Sequence, residues 1–251
     1  MAVSMRLRVF PDADAVAEAA ARGFVSAAQA AITERGRFLV ALAGGRTPAA
    51  AYSQLAAEPW RDRVDWARVE FFWGDERAVP PDDPRSNYGM ARRTLLRSLG
   101  IAERQVHRMR GEDPDLESAA RDYAAVLERL AGSPPVLDLV MLGMGADGHV
   151  ASLFPGTDAL QESRRSVVHV RVPETGAARL TLTFPVILRA RAIVVQVTGA
   201  DKAGTLGDVF RPGENGAALP ARRLHEAADR VLWLVDEAAR PVVRRDAPLS
   251  E

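Results

Sequence analysis

Short apolar runs alternate with longer amphipathic stretches along the chain. Leu7 to Phe10, Arg37 to Leu42, Val69 to Trp73, Leu137 to Leu142, Ala192 to Val197 and Val231 to Val235 read as strands. Runs this short and this apolar suit strands covered on both faces, and in the Leu137 run only Asp138 interrupts. Asp12 to Glu34 is alanine-rich and helical, with Asp12 placed as its cap. Thr47 and Pro48 suit the N-cap and first turn of a helix Pro48 to Ala57. Asn87 to Leu99 and Asp115 to Leu130 are amphipathic helices, and a further helix starts at about Asp201. Ser166 to Val172 and Leu180 to Thr183 read as a local β extension, and Gly74 to Ser86 as irregular chain. The alternation predicts an α/β fold, a mostly parallel sheet covered by helices on both faces, in a single domain over residues 1–251. Pro134-Pro135 reads as an ordinary loop, and the residues after about Pro241, with Arg244-Arg245, as a short tail.

Composition narrows the classes without changing this architecture. At 251 residues, 47% hydrophobic and 26% charged, the chain has ample core for an enzyme-sized unit. The 33 basic and 33 acidic residues cancel, so no overall field favours nucleic acid or an anionic membrane. Arg92-Arg93 and Arg222-Arg223 read as solvated helix faces. The absence of cysteine excludes disulfides, thiolate metal sites and cysteine nucleophiles. The opening MAVSMRLRVF lacks the apolar core of a signal peptide, and no segment approaches the roughly 18 apolar residues of a membrane span. A soluble, cytoplasmic protein is expected. Lys202 is the only lysine, which marks it as a candidate where a compact ammonium is needed; chance survival of one lysine is the plainer alternative.

Candidate chemistry collects in loops leaving strand ends, where a parallel sheet builds its ligand crevice. The stretch Gly143-Met144-Gly145-Ala146-Asp147-Gly148-His149 follows a strand, and its glycines allow a sharp turn that delivers a carboxylate and an imidazole together. A turn aspartate and a capping histidine are the alternative. Gly44-Gly45-Arg46-Thr47 joins a strand to a helix, offering free N–H groups, a helix dipole and a hydroxyl to an anion. It lacks the Lys-Ser/Thr ending of a Walker loop and the spacing of a dinucleotide fingerprint, and a plain turn stays open. Asp75-Glu76-Arg77 either line the crevice, with Arg77 on an anionic or oxyanionic group, or form a surface ion-pair cluster. Asn87 either reaches the site or caps the helix that it begins. Arg179 either contacts a phosphate beside Lys202 or decorates an edge strand. Ser152 has no Gly-x-Ser-x-Gly elbow around it and reads as a helix-start or packing residue. His107, His169 and His225 stand too far from His149 in sequence, and without HExxH spacing, to form a metal set.

Together ALAGGRTP, FFWGDERAVP with SNYGMA, LGMGADGHVASLFPG, RLTLTFP and VTGADK make the chain resemble the 6-phosphogluconolactonases of the pentose phosphate pathway. The motifs run from about Val40 to Lys202, and the GMGxDGHxASLFPG block is the most specific. The resemblance implies a doubly wound α/β fold related to sugar-phosphate isomerases and deaminases. It also implies hydrolysis of 6-phospho-D-glucono-1,5-lactone without metal or coenzyme, coupled in function to glucose-6-phosphate dehydrogenase. On that reading Gly44, Gly45, Arg46 and Thr47 hold the 6-phosphate with Arg179 and Lys202, and Asp75 and Asn87 complete the substrate contacts. Neutral His149 takes a proton from water, Asp147 orients the imidazole, and Arg77 stabilises the tetrahedral oxyanion. The related deaminases carry a glutamate five residues after the histidine; this chain has Phe154, which moves no proton. A third reading, a sugar-phosphate effector domain, would call for a DNA-reading helix-turn-helix, and the chain opens on a strand with no basic extension.

Overall fold

The computed structural model describes residues 6–211 and 219–241; the tail expected after Pro241 lies outside them. In chain order the strands are β1 (Arg6–Phe10), β2 (Phe38–Leu42), β3 (Val69–Trp73), β4 (Asp75–Arg77), β5 (Leu139–Gly143), β6 (Val167–Arg171), β7 (Ala178–Leu182), β8 (Ala192–Val197) and β9 (Val231–Asp236). The α-helices are α1 (Ala13–Arg35), α2 (Arg46–Leu55), α3 (Asn87–Ala91), α4 (Leu116–Ala131), α5 (Phe184–Ile187) and α6 (Ala203–Phe210).

Six strands form an all-parallel sheet in the order β1-β9-β8-β5-β2-β3. Its inner strands are apolar almost throughout because both faces are covered. One core packs α1, α2 and α3 against side chains such as Val40, Met141 and Val194. The other packs α4, α6 and the β6–β7 hairpin against Ala41, Leu142 and Val195. In α1 the buried positions Val16, Ala17, Ala20, Ala21, Phe24, Val25, Ala28 and Ala31 recur at helical spacing, and Asp12 caps it by accepting from the Ala15 N–H at 2.8 Å. At the amino ends of the strands, buried Asp138 accepts from the Leu39 N–H (2.8 Å) and pairs with Arg35 (3.0 Å), so the one charge in that apolar run is satisfied.

The doubly wound, mostly parallel α/β arrangement agrees with the sequence expectation, and four details correct it. The Gly74 to Ser86 segment contains β4, which pairs antiparallel with β7 in a separate sheet ordered β4-β7-β6. Three charged residues carry no hydrophobic alternation, so their strand character comes from pairing alone. Helix α2 starts earlier than expected: Gly45 occupies the N-cap with no side-chain cap bond, and the Thr47 hydroxyl turns instead to Thr198 (2.7 Å). Ser86, not Asn87, caps α3, accepting from the Gly89 N–H at 2.9 Å. Arg222 and Arg223 are not a solvated face; both are half-buried, and Arg223 lies 4.4 Å over the Phe184 ring while donating to the Leu160 carbonyl.

Candidate functional site

Chain direction across the large sheet reverses at β2 and β5. From β2 the chain moves outward to β3, and from β5 it moves the other way to β8 and β9. Loops leaving the carboxyl ends of two such neighbours part from one another and open a crevice. A cleft of about 1020 Å³ occupies that place. Its walls include Gly44, Gly45, Arg46 and Thr47 after β2; Asp75, Arg77 and Asn87; Asp147 and His149 after β5; Arg179; and Lys202, but not Glu76.

The loop after β5 folds back on itself. The Gly145 N–H donates to the His149 carbonyl (2.9 Å) and the Gly148 N–H to the Gly145 carbonyl (3.0 Å). Thr205 Oγ1 donates to the Ala146 carbonyl (2.6 Å) and the Ala221 N–H to the Gly148 carbonyl (2.9 Å), tying the loop to α6 and to the segment before β9. A side chain at Gly145 would overlap both the His149 ring and the Asp147 carboxylate, so glycine is what allows the two to meet. They do meet, at 2.6 Å between His149 Nδ1 and Asp147 Oδ1. With Nδ1–H donating to the carboxylate, the imidazole lone pair lies on Nε2. Phe154 packs on the same ring at 4.6 Å between centroids. Ala151, at φ 51°, holds a left-handed turn between the bridged residues Val150 and Leu153. Strain of this kind is typical of loops that carry function.

The Asp-Glu-Arg segment divides its labour between core and cleft. Asp75 and Glu76 are both buried, which rules out a surface ion-pair cluster. Glu76 accepts from the backbone N–H groups of Arg77, Asn87 and Tyr88 and from the Ser86 hydroxyl, anchoring the start of α3. Burial pushes its carboxyl above the usual range, against the pull of those bonds. Asp75 receives the Ser152 hydroxyl at 2.7 Å and the Asn87 amide at 3.1 Å. Ser152 is therefore neither a helix start nor simple packing: it joins the β5 loop to β4, a role no local signal marks. Of the other histidines, His107 bonds Glu70 (2.7 Å) and His169 on β6 bonds Glu117 (3.1 Å). Half-buried His225 packs beside Phe210, and burial lowers its pKa.

The cationic side of the cleft is built by register. Arg77 and Arg179 are directly paired across β4 and β7, and their mutual repulsion together with burial holds the Arg179 guanidinium below its usual pKa, burial being the larger cause. The two bond carbonyls (Arg77 to Arg85, Arg179 to Ala178), and Arg77 Nε is buried without a partner. An anion relieves such an arrangement. Lys202, in the short 3₁₀ turn before α6, pairs with exposed Asp201 at 2.9 Å. Facing these groups, the Gly44–Thr47 turn presents the amino end of α2, its Ala43 backbone pinned by the buried Tyr52 hydroxyl.

Asn87 sits directly over Gly44, where any β-carbon would overlap its carboxamide. Gly44→Ala is expected to displace Asn87 from Asp75, costing about 1–3 kcal/mol of stability as overpacking does. Urea unfolding measures that cost, and kcat/KM is expected to fall with it; unchanged values would show that Asn87 moves aside freely.

Among the described residues no three His, Asp or Glu side chains converge as a metal site, and no helix is long and apolar enough to cross a membrane. A family model described as glucosamine-6-phosphate isomerases/6-phosphogluconolactonase matches residues 11–233. A 6-phosphogluconolactonase of Synechocystis sp. is 40% identical over 213 residues, covering 83% of this chain and 86% of its own. The structure of the Trypanosoma brucei 6-phosphogluconolactonase superposes with a TM-score of 0.84 at 30% identity, covering 94% of this chain and 97% of that one. A monomeric glucosamine-6-phosphate deaminase shares the fold, with a TM-score of 0.79 at 23% identity, over 94% and 98% of the two chains.

Proposed function

Since the chain belongs to the glucosamine-6-phosphate isomerase/6-phosphogluconolactonase family, we propose that it hydrolyses 6-phospho-D-glucono-1,5-lactone to 6-phospho-D-gluconate. The observation that carries this reading is the Asp147–His149 pair in a cleft whose walls also carry Arg46, Arg77, Arg179 and Lys202, with the Phe154 ring and not a carboxylate against the imidazole. Ring opening of an amino sugar needs an added proton carrier at that place; lactone hydrolysis needs one base and a stabiliser for the oxyanion.

The substrate phosphate is held at the amino end of α2 by Gly44, Gly45, Arg46 and Thr47, with Arg179 and Lys202 balancing its charge. Asp75, steadied by Ser152 and Asn87, contacts the sugar. His149 Nε2 takes a proton as water oxygen bonds to the lactone C1, and Asp147 stabilises the imidazolium that forms. Arg77 opposes the charge on the tetrahedral oxyanion. The C1–ring oxygen bond then breaks, the ring oxygen receives the proton from Nε2, and the acid released ionises beside Arg77. The whole chain acts as one α/β domain, and its supply of lactone couples it in function to an upstream glucose-6-phosphate dehydrogenase.

The test is hydrolysis of the lactone, generated in situ at slightly acidic pH where the spontaneous reaction is slow. Wild type is expected to exceed the enzyme-free blank clearly. A rate equal to the blank sinks the lactonase reading, and ammonia released from glucosamine 6-phosphate would establish the deaminase in its place.

A further inference from the structure

Gln196, the penultimate residue of β8, is 3% exposed, and neither its Nε2 nor its Oε1 meets a hydrogen-bonding group of the protein. Desolvating a primary amide without partners is costly, and inner positions of this strand otherwise hold valine and isoleucine. Strand alternation fixes where it points. Val194 packs in the α1–α2 core while Ile193, Val195 and Val197 pack in the opposite one, so Gln196 faces the α1–α2 side. Thr198, one step further on that face, meets Thr47 at the start of α2. The register partner of Gln196 on β5 is Gly143. A β-carbon at Gly143 would find no atom nearer than the Gln196 backbone carbonyl oxygen at 4.0 Å, so room remains over Gly143 itself, and both residues line the cleft.

Resting on the lactonase reading, we propose that Gln196 is a specificity-determining residue whose carboxamide hydrogen-bonds a ring hydroxyl of the bound phosphosugar lactone. The chemistry selects a hydroxyl. Gln196 offers one donor group and one acceptor, both unmatched, and a hydroxyl also offers both. A phosphate dianion only accepts, and would leave Oε1 facing negative charge.

Gln196→Leu, near in volume, is expected to lower kcat/KM for the lactone about tenfold, equivalent to about 1.4 kcal/mol, chiefly through KM. The melting temperature of the ligand-free protein is expected to stay level or rise, because an unpartnered buried amide is removed. The same comparison on 2-, 3- and 4-deoxy 6-phospholactones identifies the contact: the penalty vanishes for the analogue that lacks the partner hydroxyl. Unchanged kcat/KM on the parent lactone, or an equal loss on parent and every deoxy analogue, overturns the proposal. Gln196→Met repeats the measurement if the leucine variant does not fold. Should wild type itself fail to hydrolyse the lactone, the functional reading falls separately. Calorimetric binding of 6-phosphogluconate then tests the contact: weaker binding by the variant supports it, and equal affinity overturns it.

Discussion

His149→Ala is expected to lower kcat for 6-phospho-D-glucono-1,5-lactone by about 10²–10⁴-fold, with KM changed only a few-fold. The size follows from what a positioned general base supplies. The split follows from geometry, since His149 belongs to the β5 loop whereas the proposed phosphate contacts come from the β2–α2 turn, from β7 and from the turn after β8. Removing the imidazole also leaves Asp147 without the group it orients. Phe154 would lose the ring it packs on, which an apolar alanine methyl tolerates, so the fold is expected to persist. The decisive measurement is steady-state kinetics against a matched blank, with unfolding of both proteins as a control. A variant with wild-type kcat removes the imidazole from the base role. Asp147→Asn is the companion: a carboxamide that donates to Nδ1 moves the ring proton to Nε2, and kcat is expected to fall again with little effect on KM.

The cations predict the opposite split. Arg179→Met and Lys202→Met are each expected to raise KM by about 10- to 100-fold and to leave kcat within a few-fold, because a hydrogen bond to a charged group contributes about 1.5–3 kcal/mol. Arg179 should show the larger effect. It sits half-buried beside Arg77 without a described carboxylate partner, whereas Lys202 is already shared with exposed Asp201. Losing Arg179 also relieves the repulsion it shares with Arg77, so the variant is expected to be at least as stable as wild type in the absence of ligand. A fall in kcat with KM unchanged would move Arg179 from phosphate binding to transition-state stabilisation.

Motif and periodicity made much of this protein legible in advance. The GMGADGHVASLFPG block points to the β5 loop, and the apolar runs point to the six-stranded sheet, because both signals are local: a strand covered on two faces must be apolar, and a tight turn must carry glycine. The roles of Glu76, Ser152 and Gln196 were not legible. Each is a polar residue whose meaning depends on what lies across from it. Glu76 meets the start of α3, Ser152 meets Asp75 from a distant segment, and Gln196 lies in register with Gly143 on the neighbouring strand.

Residue type and spacing along one chain suffice for the α/β class, the family and the candidates for chemistry. It takes the folded chain to show that Asp147 touches His149, that Arg77 stands beside Arg179, and that Thr47 turns to Thr198 and not to its own helix. The Arg77 and Thr47 placements belong to strand register and to packing between segments far apart in the chain, whereas the Asp147–His149 contact comes from closure of the turn at Gly145.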